Sequence, residues 1–102
     1  MEKPIFLLLG GNKLNYGVLK KFQNKGYYVI VVDWNENPCL VGNMHLQIDV
    51  KDSARIIQCL REKNLLQNVK FCYSSIDLAV PSVANINKEI GLRTISDEGI
   101  FY

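Results

Sequence analysis

Residues 5–33 read IFLLLGGNKLNYGVLKKFQNKGYYVIVVD, and the prediction of the fold begins with this stretch. Residues 5–9 are an unbroken apolar run, the pattern of a strand covered on both faces, and two glycines that tolerate positive φ end it. An amphipathic helix follows and is expected to end at Gly26. Residues 27–32 are rich in β-branched and aromatic side chains, which favours a second buried strand. The stretch therefore predicts one βαβ unit.

The helix of this unit has an apolar side and a charged side. Lysines stand at positions 13, 20, 21 and 25, and the whole chain carries a net charge of only +2. We interpret these lysines as a solvated helix face and expect no nucleic-acid partner. The expected apolar face of the helix consists of Leu14, Val18, Leu19 and Phe22.

The rest of the chain supplies the strands and helices that a βαβ unit needs to bury its apolar surface. Asp52 is expected to cap a second helix, and Pro81 is tolerated because it falls in the first turn of a third. The further elements are expected to be an edge strand at 45–49, a helix from 52 to about 63, a strand at 69–73, a helix ending at Gly91 and a short fifth strand at 92–95.

This order of elements predicts a three-layer α/β fold with helices on both faces. Right-handed crossovers give a Rossmann-like parallel sheet of four to five strands in the order 3-2-1-4(-5). Ligands in such sheets bind at the carboxyl ends of the strands, where the strand order reverses. Three loops are expected to meet there: residues 10–16, 33–37 and 74–77.

Length and composition limit the classes of protein to which this chain can belong. A chain of 102 residues suits a single domain and is small for an enzyme with separate cofactor and substrate sites. Its longest apolar run is too short for a signal peptide or a membrane span, so we expect a cytoplasmic protein without membrane contact. The three cysteines, Cys39, Cys59 and Cys72, predict neither a disulfide framework nor a metal site, and we expect the last two to be buried.

A dinucleotide site is one alternative, because a glycine turn between strand and helix is followed by Asp33, which could bond a ribose hydroxyl. However, Asn12 and Asn15 stand where that motif has its second and third glycines. The alternative function is therefore a free-standing module that binds NAD or a mononucleotide. Trp34, the next residue in the sequence, could equally well contact a ligand or partner or cover the edge of the sheet. His45 is expected at the surface.

Several weak motifs recur in a fixed order along nearly the whole chain. They are FLLLGGN at 6–12, KGYYVIVVDWNENP at 25–38, DVKD at 49–52, SIDLAVPSVA at 75–84 and EIGL at 89–92. Their order and spacing resemble the amino-terminal, pre-ATP-grasp domain of ATP-grasp ligases, in the carbamoyl-phosphate-synthase-like and carboxylate–amine ligase group. Such ligases join a carboxylate to an amine through an acyl-phosphate made from ATP.

The resemblance implies which residues bind substrate. In that family this domain does not hold the nucleotide, and its loops bind a small carboxylate or amine substrate opposite the catalytic domains. Two positions differ from the family pattern and concern the contact with the amine substrate. Met44-His45 stands where relatives commonly have Ala-Asp, and Ser75 stands where purine-pathway members often have Glu. The positions that match or correspond to family binding positions are Gly10, Gly11, Asn12, Asp33, Asn35, Ser75 and Asp77.

The resemblance also implies what this chain lacks. The family's ATP-clamping lysines, glycine-rich lid and magnesium ligands lie downstream of the segment that residues 1–102 match. We therefore expect ATP and Mg²⁺ in a longer parent enzyme, ATP-grasp catalytic domains as partners, and no catalytic residue, cofactor or ligase activity in this chain alone. A third hypothesis, a docking or homodimer-forming domain without a ligand, rests on the apolar end Ile100-Phe101-Tyr102.

Overall fold

The structure, a computed structural model, describes residues 3–91 of the chain. Its strands and helices, in chain order, are β1 Ile5–Leu9, α1 Tyr16–Asn24, β2 Tyr28–Val32, β3 Met44–Leu46, α2 Ser53–Glu62, β4 Val69–Tyr73 and α3 Val80–Glu89. Single turns of 3-10 helix precede α1, β4 and α3, at Lys13–Asn15, Leu66–Asn68 and Asp77–Ala79. The fifth strand predicted at 92–95, and the apolar end after it, lie outside the described residues.

The four described strands form one parallel sheet in the order β3-β2-β1-β4. β1 is central: Ile5 pairs with Tyr28 of β2 on one side and with Val69 of β4 on the other. The order confirms the predicted 3-2-1-4 arrangement. It reverses between β1 and β4, because β2 and β3 extend the sheet to one side and β4 lies on the other.

One face of the sheet is covered by α2 and α3 and has an aliphatic core. Alternate residues of the central strands, such as Leu7 and Ile30, point to this face because side chains in a strand alternate between the two faces. Ile56 and Leu60 of α2 and Ile86 of α3 pack against them. Burying large aliphatic side chains is worth about 1.5–3 kcal/mol each, so this layer holds both helices to the sheet.

The opposite face is covered by α1 and is rich in aromatic rings. Phe6 of β1 is fully buried, and its ring centroid lies 4.3 Å from that of Phe22 in α1 and 4.9 Å from that of Phe71 in β4. Phe22 also meets Tyr27 edge to face at 5.2 Å. Helices therefore cover both faces, which confirms the predicted three-layer α/β architecture.

The start of the first helix differs from the prediction. Asn12 accepts the N–H of Leu14 through its side chain and begins a turn of 3-10 helix, so α1 starts only at Tyr16. A 3-10 turn advances about 120° per residue instead of 100°, which shifts the phase of the apolar pattern. Leu14, expected on the buried face, is 84% exposed, whereas Asn15 is only 1% exposed. The predicted packing of Leu14 is therefore wrong.

The third strand is also shorter than predicted. It comprises Met44–Leu46 instead of residues 45–49, because the N–H of Ile48 turns back to the carbonyl of Leu46 at 3.0 Å. It is an edge strand of the described sheet, as expected. His45 is half-buried and not a free surface residue: its Nε2 lies 3.0 Å from the carbonyl oxygen of Asp33.

The helix ends follow the sequence signals. Asp52 Oδ1 accepts the N–H of Arg55 at 3.1 Å, which confirms the predicted cap of α2. Gly26 and Gly91 follow α1 and α3 with φ of +93° and +91°, a conformation that favours glycine. Among residues 3–91, no helix is long and apolar enough to cross a membrane.

Candidate functional site

The three loops predicted to meet do so at the carboxyl edge of the sheet, the edge where the parallel strands end. Residues 10–15 follow β1, residues 33–37 follow β2 and residues 74–77 follow β4. Hydrogen bonds connect the first loop directly to each of the other two. This edge is therefore one connected structure, as the rule for open parallel sheets predicts.

Asn15 connects the loop after β1 to the loop after β4. Its Nδ2 donates to the carbonyl of Gly10 at 2.9 Å, and its Oδ1 accepts the Ser75 hydroxyl at 2.9 Å. The neighbouring Ser74 hydroxyl donates to the carbonyl of Leu9 at 2.7 Å. A buried amide must be hydrogen-bonded to avoid a desolvation cost, and both ends of this one are.

Asp33 connects the loop after β1 to the loop after β2. Its Oδ2 accepts the N–H of Gly11 at 2.8 Å, and its Oδ1 accepts the N–H of Asn35 at 2.9 Å. Both carboxylate oxygens thus bind backbone groups of the chain itself. Asp33 holds the edge together, and a ribose hydroxyl would have to share these oxygens with two backbone donors.

The two glycines are required by the fold in different ways. Gly10 has a φ of +105°, in the left-handed region that other residues rarely adopt. At Gly11, an added Cβ would lie 2.6 Å from the carbonyl oxygen of Leu40 and 2.8 Å from Cβ of Pro38. The segment after Asp33 therefore returns across Gly11 and fills the space that a glycine loop could offer to a pyrophosphate.

Both glycine amides are also already used. The N–H of Gly10 donates to the carbonyl of Val32 at 2.7 Å, and that of Gly11 donates to Asp33. An anion held by backbone amides at this loop would have to bind at Asn12 or beyond. Of Gly10, Gly11 and Asn12, three of the positions expected to bind substrate, only Asn12 could therefore offer its backbone amide to a ligand.

A cleft of about 280 Å³ opens at the carboxyl edge between these loops. Of the seven residues predicted to bind substrate, Gly10 and Asp33 line it, whereas Asn12, Asn35, Ser75 and Asp77 lie outside its lining, as does Gly11. The cleft is lined by Gly10, Asp33, Trp34, Asp49, Val50, Lys51, Ile76 and Leu78.

The sequence analysis missed the contribution of residues 49–51 to the cleft. Asp49 and Lys51 follow β3, so they reach the carboxyl edge by the same rule that located the other loops. Asp49 Oδ1 accepts the N–H of Lys51 at 2.9 Å, a turn that leaves both side chains exposed. They provide one carboxylate and one ammonium group beside a largely apolar wall.

Large apolar side chains are exposed at the same edge. Trp34 is 66% exposed and Leu78 is 68% exposed, and both line the cleft. Leu14, in the 3-10 turn before α1, and Val80, the first residue of α3, are exposed as well. The exposure of Trp34 favours the interpretation as a ligand or partner contact. Exposed apolar groups concentrated at one edge mark a surface for a ligand or a partner.

Two larger clefts, of about 320 and 470 Å³, lie elsewhere. One lies between β3 and α2, and the other is lined by Arg61, Leu66 and Glu89 near the ends of α2 and α3. Volume alone does not identify a site in an open α/β sheet, where ligands bind at the carboxyl ends of the strands. We therefore take the carboxyl-edge cleft as the candidate site.

The cysteines give no sign of a reactive centre in the part of the chain that is described. Cys72 is buried in β4, and burial raises the pKa of its thiol far above the ordinary value, so the reactive thiolate is suppressed. Cys59 is only partly buried, contrary to expectation, and Cys39 is exposed. Within residues 3–91 no three His, Cys, Asp or Glu side chains are grouped to hold a metal ion.

Searches with this chain found no matching protein-family model and no matching curated protein. A functional proposal therefore has two supports: the geometry of the carboxyl edge and the order of the sequence motifs. The geometry favours binding, because the cleft combines an apolar wall with two acidic side chains, Asp33 and Asp49, and one basic side chain, Lys51.

Proposed function

We propose that this chain is the amino-terminal, substrate-binding and docking domain of an ATP-dependent carboxylate–amine ligase of the ATP-grasp group. The observation that carries the proposal is the cleft at the carboxyl edge, lined by Asp49 and Lys51 and bordered by exposed Trp34 and Leu78. A small carboxylate or amine suits the charged side, and a second domain suits the exposed apolar groups.

The charged residues of the cleft would bind and orient the substrate. Lys51 can pair with a carboxylate and Asp49 with an ammonium group, while Ile76 and Leu78 exclude water from the remainder of the molecule. Fixing one reactant beside a second domain converts an encounter of two molecules into a reaction within one complex. The contribution of this chain is therefore position, and the ligase chemistry belongs to its partner.

The two glycines after β1 do not offer free backbone amides to the phosphates of ATP. Phosphoryl transfer uses cationic side chains, backbone amides and acidic metal ligands around the phosphates. Here the amides of Gly10 and Gly11 already donate to the chain itself. In the proposal, ATP and Mg²⁺ belong to the ATP-grasp domains of the parent enzyme.

A free-standing nucleotide module is the second candidate, and the position of Asp33 at the end of β2 favours it. Against it stand the two backbone donors on the Asp33 carboxylate and the chain segment that fills the space at Gly11. The two candidates predict different ligands, so one titration can separate them.

The fluorescence of Trp34 provides the test, because this is the only tryptophan of the chain and it lines the cleft. We expect small dicarboxylates, amino acids or amines to change its emission saturably, whereas NAD, AMP and ATP–Mg²⁺ leave it unchanged. Replacing Lys51 by Gln or Asp49 by Asn should raise the dissociation constant of the matching ligand about tenfold or more.

Lys63→Gln is the matched control, since Lys63 is an exposed lysine that does not line the cleft. It should leave the titration unchanged. Saturable binding of NAD or AMP that Asp33→Ala abolishes would reject the ligase-domain proposal and establish the nucleotide module. Absence of any response from the whole carboxylate and amine panel would remove the cleft as a substrate site.

A further inference from the structure

A second surface, not used by the proposed function, lies on the outer flank of α2. The helix and the edge strand β3 border a groove of about 320 Å³. The helix side of this groove is formed by Arg55, Gln58, Cys59 and Glu62, and the strand side includes His45 and Ile48. The groove lies at the β3 edge of the described sheet, away from the point between β1 and β4 where the strand order reverses.

The charges on this flank are not neutralised within the described chain. Arg55 has no ion pair there, and the Glu62 carboxylate accepts only a long 3.4 Å hydrogen bond from Gln58. The opposite flank of α2 differs, because Arg61 forms an ion pair with Glu89 of α3. Arg55 and Glu62 are thus available for a contact outside the described residues.

Both charges also stand at the less favourable ends of their helix. Arg55 lies in the first turn of α2, where the partial positive charge of the helix amino terminus repels a cation. Glu62 is the last residue of α2, where the partial negative charge of the carboxyl terminus repels an anion. A neighbouring helix that runs in the opposite direction would reverse both effects.

We propose that a second copy of this chain binds at this groove, with the two α2 helices antiparallel across a two-fold axis. Arg55 and Glu62 are two helical turns, about 10.5 Å, apart on one flank. The axis passes between Gln58 and Cys59, the midpoint of that interval. Arg55 then faces Glu62 of the partner subunit, and the same pair forms again by symmetry, so the surface complements itself.

A second copy fits this pattern better than an unrelated partner. The flank presents a cation at one end and an anion at the other, which is the arrangement that a two-fold rotation matches with itself. In the antiparallel pair each Arg55 also approaches the carboxyl end of the other helix and each Glu62 the amino end, where the helix dipole stabilises it. The dimer thus uses both of the charges that this flank of α2 leaves unpaired.

A charge-swap experiment tests the dimer. We expect wild type to dimerise in sedimentation equilibrium, and Arg55→Glu or Glu62→Arg to raise the dimer dissociation constant about tenfold or more, because each change creates two repulsive contacts. The double variant carrying both changes should restore the wild-type constant. Circular dichroism should show that every variant keeps its helices.

Lys70→Glu is the control, since it makes the same change of charge as Arg55→Glu at an exposed position. Lys70 lies in β4, at the edge of the described sheet opposite to β3. It should leave the dimer unaffected. A wild-type chain that stays monomeric at millimolar concentration would overturn the proposal. So would a dimer that ignores the single changes or that the charge swap fails to restore.

Cross-linking tests the position of the axis. With the axis between positions 58 and 59, Gln58 faces Cys59 of the partner subunit. In a Cys39→Ser, Cys59→Ala background, which removes the exposed thiol and the native thiol beside the axis, Gln58→Cys should form disulfide-linked dimers across the axis on mild oxidation. Ala54→Cys should not, because its two copies would lie about 13.5 Å apart along the antiparallel helices. Equal cross-linking of the two variants would reject this packing.

Discussion

The interior of the sheet and its carboxyl edge place polar and apolar side chains in opposite ways. In the interior, Phe6, Leu7 and Ile30 are fully buried, as hydrophobic burial requires. At the carboxyl edge, Asn15 is buried while the adjacent Leu14 and the more distant Leu78 are exposed. Polar contacts hold the edge together, and its apolar groups face outward.

The polar residues of the carboxyl edge stabilise the fold, whereas its apolar residues form the surface that ligands or partners can contact. Hydrogen bonds of Asn15 and Asp33 fix the positions of the loops without using the nearby apolar side chains. Those side chains are therefore free to contact a ligand or another domain. If the comparison is correct, substitutions should cost most stability in the interior, less in the polar links and least at the exposed apolar groups.

The largest loss of stability is expected for Phe6→Ala. The ring is fully buried and lies against Phe22 and Phe71, so its removal leaves a cavity between sheet and helix. We expect the free energy of unfolding to fall by about 3–5 kcal/mol in urea denaturation. A loss below about 1 kcal/mol would mean that the aromatic face is not tightly packed. It would contradict the expected difference in stability between the interior and the carboxyl edge.

An intermediate loss is expected for Asn15→Ala. The change leaves the Gly10 carbonyl and the Ser75 hydroxyl without their partner, so unfolding should become easier by about 1–3 kcal/mol. Asn37→Ala, at an exposed loop position, should stay within about 0.5 kcal/mol of wild type. Asn15→Leu is a further test. A stable leucine variant would show that this position of the carboxyl edge accepts a buried apolar side chain, as the interior does.

The smallest effect on stability is expected for Leu14→Ser and Leu78→Ser. Both side chains are mostly exposed, so the free energy of unfolding should change by no more than about 0.5 kcal/mol. Only Leu78 lines the cleft, and its change should in addition weaken the ligand binding reported by Trp34. A loss above about 1.5 kcal/mol at either position would show that these groups belong to the core and that the inversion is only apparent.

Sequence reasoning predicted the architecture because local patterns and general connection rules determine it. Continuous apolar runs identified β1 and β2 as buried, and right-handed crossovers then fixed the strand order. The meeting of the loops after β1, β2 and β4 followed from the same rules. These inferences need only the periodicity of each segment and not the partner of any single side chain.

Contacts between distant residues limited the prediction of the site. The helical pattern placed Leu14 on the buried face because no local sequence signal indicates the 3-10 turn before α1. Burial of Asn15 depends on Ser75, which is 60 residues away in sequence. The return of Pro38 and Leu40 across Gly11 likewise has no local signal, so the two glycines looked like an open loop.

The central position of β1 has a consequence for the order in which the fold can be completed during synthesis. β1 pairs with both β2 and β4, but β4 begins 60 residues after β1 ends, at Val69 after Leu9. At about 5–20 residues per second, ribosomes need roughly 3 to 12 s to make that interval. For that time the apolar chain of β1 has one neighbouring strand at most, and slower translation would lengthen the interval in which this strand is open to aggregation.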